Sequence, residues 1–111
     1  MKGPTATARA AKARTDAAYA KTIRDQVMRR DAGCRAPIHR TAGDLGECNG
    51  PEAWAHMAGH RRFETRGLPP EQRHSTEWTL MLCAKHHADY DARRLRIIGT
   101  NADGPLEFTR A

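Results

Sequence analysis

The sequence predicts a small α+β fold: a long basic helix, a short strand, a second strand running into a short helix, and a closing hairpin. Three observations carry that prediction. Residues 5–30 contain no Pro or Gly and are rich in Ala, Lys and Arg, which favours a helix. The segments "EAWAHM" (52–57) and "WTLMLC" (78–83) are short and extended in character, and the second leads into "AKHHADYDARR", which reads as a helix. The tail "LRIIGTNADGPLEFTR" sets two apolar runs around an Asn-Ala-Asp-Gly-Pro turn.

At 111 residues the chain holds one domain, divided into a basic arm (1–30), a core (31–94) and a C-terminal β-hairpin (95–111). Only 39% of the residues are hydrophobic, with two each of Phe, Tyr and Trp, so the core is small and a staple is expected. Three cysteines leave one over from any disulfide framework. Thiols held by a metal in a reducing cytoplasm fit that count better, with Cys34–Cys48 as a disulfide the main rival. No apolar run approaches the ~18 residues of a membrane span, and the N-terminus lacks the apolar stretch of a secretory signal. No membrane partner is therefore expected. The formal charge of +6 favours an anionic partner, of which nucleic acid is the common one, although generic basic proteins share such a balance.

Along the chain, residues 1–4 are expected to fray around Gly3 and Pro4. In the first helix Ala18, Tyr19, Ile23 and Val27 share the inward face at helical spacing. Residues 1–30 carry eight Lys/Arg against two Asp, so the other face is basic: a solvated surface or a DNA-backbone contact in equal measure. Residues 31–51 are dense in Gly, Pro, Asp and Asn and read as loop. In the first strand Trp54 and His56 take one face, Ala53 and Ala55 the other. Residues 58–75 read as a long Arg-rich loop with a turn at "GLPPEQ". The second helix ends in Arg93 and Arg94, which suit a helix C-terminus.

The chemistry concentrates in "LMLCAKHHADYD" (80–91). Cys83 and His86 form a C-x-x-H pair at a strand-to-helix junction, where both can face one ion. With Cys34 and Cys48 they complete the four S/N ligands that zinc takes. Thirteen residues separate those two cysteines, an irregular spacing, and His39 lies between them as a rival ligand. The bland alternative is three ordinary buried cysteines. Neighbours on a helix point about 100° apart, so His87 is left for a different site. His87 and Asp91 share a helix face, as a clamp for a hard divalent cation (Mg²⁺, Mn²⁺ or Zn²⁺) or as a surface ion pair.

The order is two cysteines, a strand ending in His56, a long loop, then "LMLC" leading into a doubled histidine. It resembles the HNH endonuclease family, whose core is the ββα-metal fold, over roughly Cys34 to Asp91. The resemblance implies a metal-dependent DNA endonuclease with structural Zn²⁺ on Cys34, Cys48, Cys83 and His86. It makes His56 the general base, with His87 and Asp91 on a catalytic divalent cation. Two positions depart from the family pattern. Trp78 stands where the family has an asparagine that orients the base, so His74 takes that role ahead of Ser75 or Thr76. Ala55 stands where many members have a metal ligand, leaving His60 and Glu52 to fill the shell. In the resembling fold the Arg-rich loop lies beside the site, with Arg61, Arg62, Arg66 and Arg73 as DNA contacts. Chains of this size in the family point to a phage-encoded protein in a bacterial cytoplasm. The alternatives implied are a zinc-stabilised DNA-binding module with a decayed site, or a phage packaging accessory. A homodimer stays open.

Overall fold

The computed structural model describes residues 6–37 and 44–111, with side chains from Thr15 onward. His39 and the frayed start expected at residues 1–4 lie outside the described residues. The architecture is α+β, with three helices and two small sheets among the described residues. Helix α1 spans Ala6–Asp31, strand β1 Glu52–His56, helix α2 Pro70–Arg73, strand β2 Thr79–Cys83 and helix α3 Ala84–Asp91. Strands β3 (Leu95–Ile98) and β4 (Glu107–Arg110) close the chain.

Strands β1 and β2 are antiparallel, with Glu52 opposite Cys83 and His56 opposite Thr79. Every residue of β2 is buried. Leu80 and Leu82 enter the main core with Ala55, Met57, Tyr90, Leu95, Leu106 and Phe108. Because Phe108 is fully buried and lies on β4, the hairpin completes the core beside α3.

The second edge of β2 does not stay open. Asp31, the last residue of α1, accepts the Met81 amide at 2.9 Å, and the Arg35 amide donates to the Met81 carbonyl at 3.0 Å. The Asp31 side chain and the Arg35 backbone therefore satisfy the Met81 amide and carbonyl, groups that a sheet edge leaves exposed. The Asp31 carboxylate is 1% exposed and faces two guanidiniums, Arg30 at 2.6 Å and Arg35 at 3.6 Å. Arg30 reaches on to the carbonyls of Thr76 and Thr79 and to Asp103, while Arg35 binds the carbonyls of Ala102 and Gly104. One buried acid thus ties α1 to β2 and to the β3–β4 connection.

Helix α3 starts on Cys83, whose sulfur accepts the His86 amide, and folds back along the hairpin. The Tyr90 hydroxyl accepts the Ala58 amide at 2.6 Å, so the end of α3 lies beside the end of β1.

Several expectations change. The turn at "GLPPEQ" contains α2, because Pro70 is already set for a first helical position. Trp78 belongs to a 3₁₀ turn (Thr76–Trp78) and not to the strand. Helix α3 stops at Asp91: Arg93 adopts φ +62 and the Arg94 amide returns to the Asp89 carbonyl, a closure that leaves both arginines outside the helix. Ala18 is exposed, while Tyr19 and Ile23 are half-buried and Val27 is fully buried, because α1 meets the core chiefly through its last turns.

Replacing Asp31 with Ala strands Arg35 in the interior and should cost about 3–5 kcal/mol in urea unfolding. Replacing the exposed Asp103 should cost less than about 1 kcal/mol.

Candidate metal centre and histidine pair

Four segments meet at one point to build the cluster. The bond from the Arg35 amide to β2 carries Cys34 to the end of that strand. The Lys85 amide donates to the Asn49 carbonyl at 3.0 Å, which draws the loop carrying Cys48 onto the start of α3. That loop turns at Gly50, with φ +85, so close to α3 that a Cβ there would lie 2.7 Å from the Ala84 side chain. Cys83 ends β2 and caps α3, so Cys83 and His86 converge as the C-x-x-H spacing expects.

The four ligand atoms lie within 4.8 Å of one another. From His86 Nδ1 the sulfurs of Cys83, Cys34 and Cys48 lie at 3.2, 3.4 and 3.7 Å. Neighbouring ligands of a tetrahedral zinc, with Zn–S ~2.3 Å and Zn–N ~2.0 Å, sit roughly 3.5–3.8 Å apart. The far nitrogen of the ring settles which atom faces the sulfurs. His86 Nε2 lies 3.1 Å from the carbonyls of both Leu45 and Gly46. Carbonyls only accept, so Nε2 carries the proton and Nδ1 offers a lone pair, the second-sphere arrangement that orients a metal-bound histidine. Burial pushes the Cys34 thiol up, with the Cys83 charge adding to it, and Cys48 moves the same way. Cys83 moves down: against its burial, the amides of His86 and Asn49 and the other sulfurs favour its thiolate. The three cysteines are free, with no disulfide between them. The cluster could hold a metal ion such as zinc.

At the opposite end of the β1–β2 pair, His56 Nε2 and His74 Nδ1 are 3.0 Å apart. Trp54 packs against both rings, at 4.6 Å from His56 and 5.2 Å from His74. Its position beside His56 follows from strand alternation, whereas the approach of His74 needed α2 to turn the loop back. One ring donates and the other accepts, so the pair shares a proton. Burial, the His74 ring and the Arg73 guanidinium push His56 down to about 4. Burial and Arg73 also lower His74, which Asp16 partly offsets. Both rings are thus neutral near pH 7.

His87 Nε2 and Asp91 Oδ2 lie 3.5 Å apart on one face of α3, with Asp91 well exposed. Among the described residues, only the Cys₃His set gathers three or more such donors around one point. His60 stacks on Trp78 at 4.4 Å and 13°. Glu52 sits at the other end of β1 from His56, about 13 Å away at ~3.3 Å per residue, so it does not serve the same site. Of the loop arginines, Arg61 lies over the Tyr90 ring at 4.9 Å, Arg73 borders His56, and Arg62 and Arg66 are exposed. Tyr90 was hidden in the sequence as a core residue, although it lies three positions after His87 on the same helix.

No protein-family profile matches the chain, and no curated protein or solved structure matches it either.

Metal analysis of the purified protein should find about one tightly held zinc per chain, with His86→Ala losing both the metal and the cooperative thermal transition. His87→Ala should keep both. A second expectation concerns pH. The folded His56 titrates below its ordinary 6.5, so on acidification the unfolded chain takes that proton first. The resulting stability is complete above about pH 6.5 and is lost as the pH falls toward about 4. The stability difference between wild type and His56→Gln, from urea midpoints at each pH, should therefore shift against wild type across that window.

Proposed function

We propose that this chain is a metal-dependent DNA endonuclease of the HNH type, with a ββα-metal core formed by β1, β2 and α3 and stapled by one structural zinc. The observation that carries the reading is the His56–His74 hydrogen bond at the end of the β1–β2 pair, 3.0 Å long and bordered by Arg73. A neutral, oriented imidazole beside a guanidinium is what hydrolysis of a phosphodiester asks of a protein: a base for water and a cation for the phosphate. The position of α3 adds support. Tyr90 lies between His87 and Asp91 in the sequence, and its hydroxyl binds Ala58, two residues beyond His56.

In the tautomer in which His56 donates Nε2–H to His74, Nδ1 carries the lone pair that would take a proton from water. His74 is then the positioning residue in place of the family's asparagine, whose position Trp78 occupies while stacking on His60. Arg73 depresses His56 in the free protein. A phosphate paired with Arg73 cancels that repulsion, so substrate raises the proton affinity of the base when it is needed. His87 and Asp91 offer two donors for a divalent cation, with water and phosphate oxygens completing the shell. Such a cation neutralises the phosphate and the departing oxygen. Arg61, Arg62 and Arg66 extend the cationic surface for flanking phosphates without reading sequence.

One observation favours a second reading, a zinc-stabilised DNA-binding or packaging module that does not hydrolyse. No third protein donor joins His87 and Asp91 among the described residues. Supercoiled plasmid separates the two. Nicking that depends on Mg²⁺, Mn²⁺, Ni²⁺ or Zn²⁺, stops with EDTA, and falls about 100-fold or more in His56→Ala is the outcome expected of the enzyme. Gel shifts without nicking in every metal would leave only the binding module.

A further inference from the structure

Phe63 is 68% exposed, the most exposed large hydrophobic side chain among the described residues, and arginines flank it on both sides. One cleft, of about 590 Å³, is lined by Phe63 with Arg62, Arg66 and Arg73. A second, of about 580 Å³, is lined by Phe63 with Arg61, Arg93 and Arg96. The ring is thus a ridge between two cationic clefts. Each cleft contains an arginine, Arg73 in one and Arg61 in the other, whose Nε–H is buried without a protein partner. Burial of Nε shows that packing holds those two guanidiniums, Arg61 over the Tyr90 ring at 4.9 Å, and it is their terminal NH₂ groups that are the donors for an anion in the cleft.

The ridge is built by its own loop. Glu64 accepts the amides of Gly59 and Arg61 at 3.0 and 3.2 Å. Buried Thr65 returns its hydroxyl and its amide to the Arg61 carbonyl, both at 3.0 Å. The acid in the loop is therefore engaged with backbone, and Phe63 is turned outward by a hydrogen-bonded frame.

We infer that Phe63 is a stacking platform for an unpaired base, with the strand's phosphates lying in the two arginine clefts on either side, so that the nucleic acid bound here is single-stranded or locally opened. An aromatic face flanked by cations suits such a strand because unpaired bases offer their π-faces, while in a duplex neighbouring pairs cover them. Duplex DNA meets the same arginines through its phosphates but has no face to offer the ring without unstacking.

This inference rests on the nucleic-acid reading above and is tested apart from its hydrolytic half. Fluorescence anisotropy on the zinc-loaded full chain, with EDTA omitted and no catalytic metal added, compares a labelled single strand of about 15 nucleotides with its duplex and with an abasic strand of equal length. Wild type should bind the single strand more tightly than either of the others. Phe63→Ala should weaken single-strand binding about 5- to 100-fold, leave duplex and abasic binding within about twofold, and keep the wild-type melting temperature. Phe63→Tyr should restore the preference. Equal single-strand affinity in wild type and Phe63→Ala, or a wild-type preference for the duplex, overturns the inference. Plasmid nicking alongside such a result leaves the nuclease standing. Phe63-dependent single-strand binding without nicking in any metal removes the nuclease and leaves this inference.

Discussion

The structure depends on how one carboxylate, Asp31, is compensated. A two-stranded sheet of β1 and β2 has too little area to stand alone, and its β2 edge presents unpaired backbone groups. Asp31 takes the Met81 amide, and its charge is balanced by Arg30 and Arg35, which together reach the 3₁₀ turn and the β3–β4 connection. A buried ion set of this kind is costly to desolvate and is tolerated only when the lone pairs and donors are filled, as they are here by carbonyls and an amide. What it secures is placement: Asp31 and Arg35 hold the end of α1 against Met81, and Cys34 lies between them.

The metal cluster is the second consequence. Two of its ligands, Cys83 and His86, are local to the β2–α3 junction, and Cys34 and Cys48 are delivered to it by backbone contacts with β2 and α3. Cys83 caps α3 with the same sulfur that faces the cluster, so strand end, helix start and ligand set form one junction. In a core as small as this one, with Phe108, Leu80 and Leu82 as its largest fully buried apolar side chains, an ion held by this cluster would supply cohesion that apolar area cannot.

The two ends of the β1–β2 hairpin then divide the labour. The β2–α3 junction gathers sulfur and the buried His86 ring. The other end gathers neutral imidazoles, an indole and arginines, with Tyr90 linking it to α3. The doubled histidine at 86 and 87 straddles that division: one ring turns inward to the sulfurs, the other outward to Asp91.

A single turn beginning at Pro70 reads as loop, so α2 was not legible in the sequence. Helices α1 and α3, the strands and the final hairpin were legible because each rests on local pattern: an unbroken Ala-rich run, short apolar segments and a Gly-Pro turn. The pairing of Cys83 with His86, and of His87 with Asp91, was legible for the same reason, since spacing on a helix decides it. The closure of α3 at Asp91 was not, because the left-handed turn at Arg93 is carried by a residue type that does not announce it. Nor was the 3₁₀ turn at Trp78, where tertiary packing of the ring on His60 prevails over an apolar run that reads as strand. By itself the sequence determined the main elements and the local side-chain pairs. Cys34 and Cys48 were expected beside Cys83 from ligand count, and His74 beside His56 from the family resemblance, but only the tertiary structure brings each set together and shows that Asp31 closes the sheet. Those approaches join segments remote along the chain, and they are set by backbone hydrogen bonds and packing that no local spacing encodes.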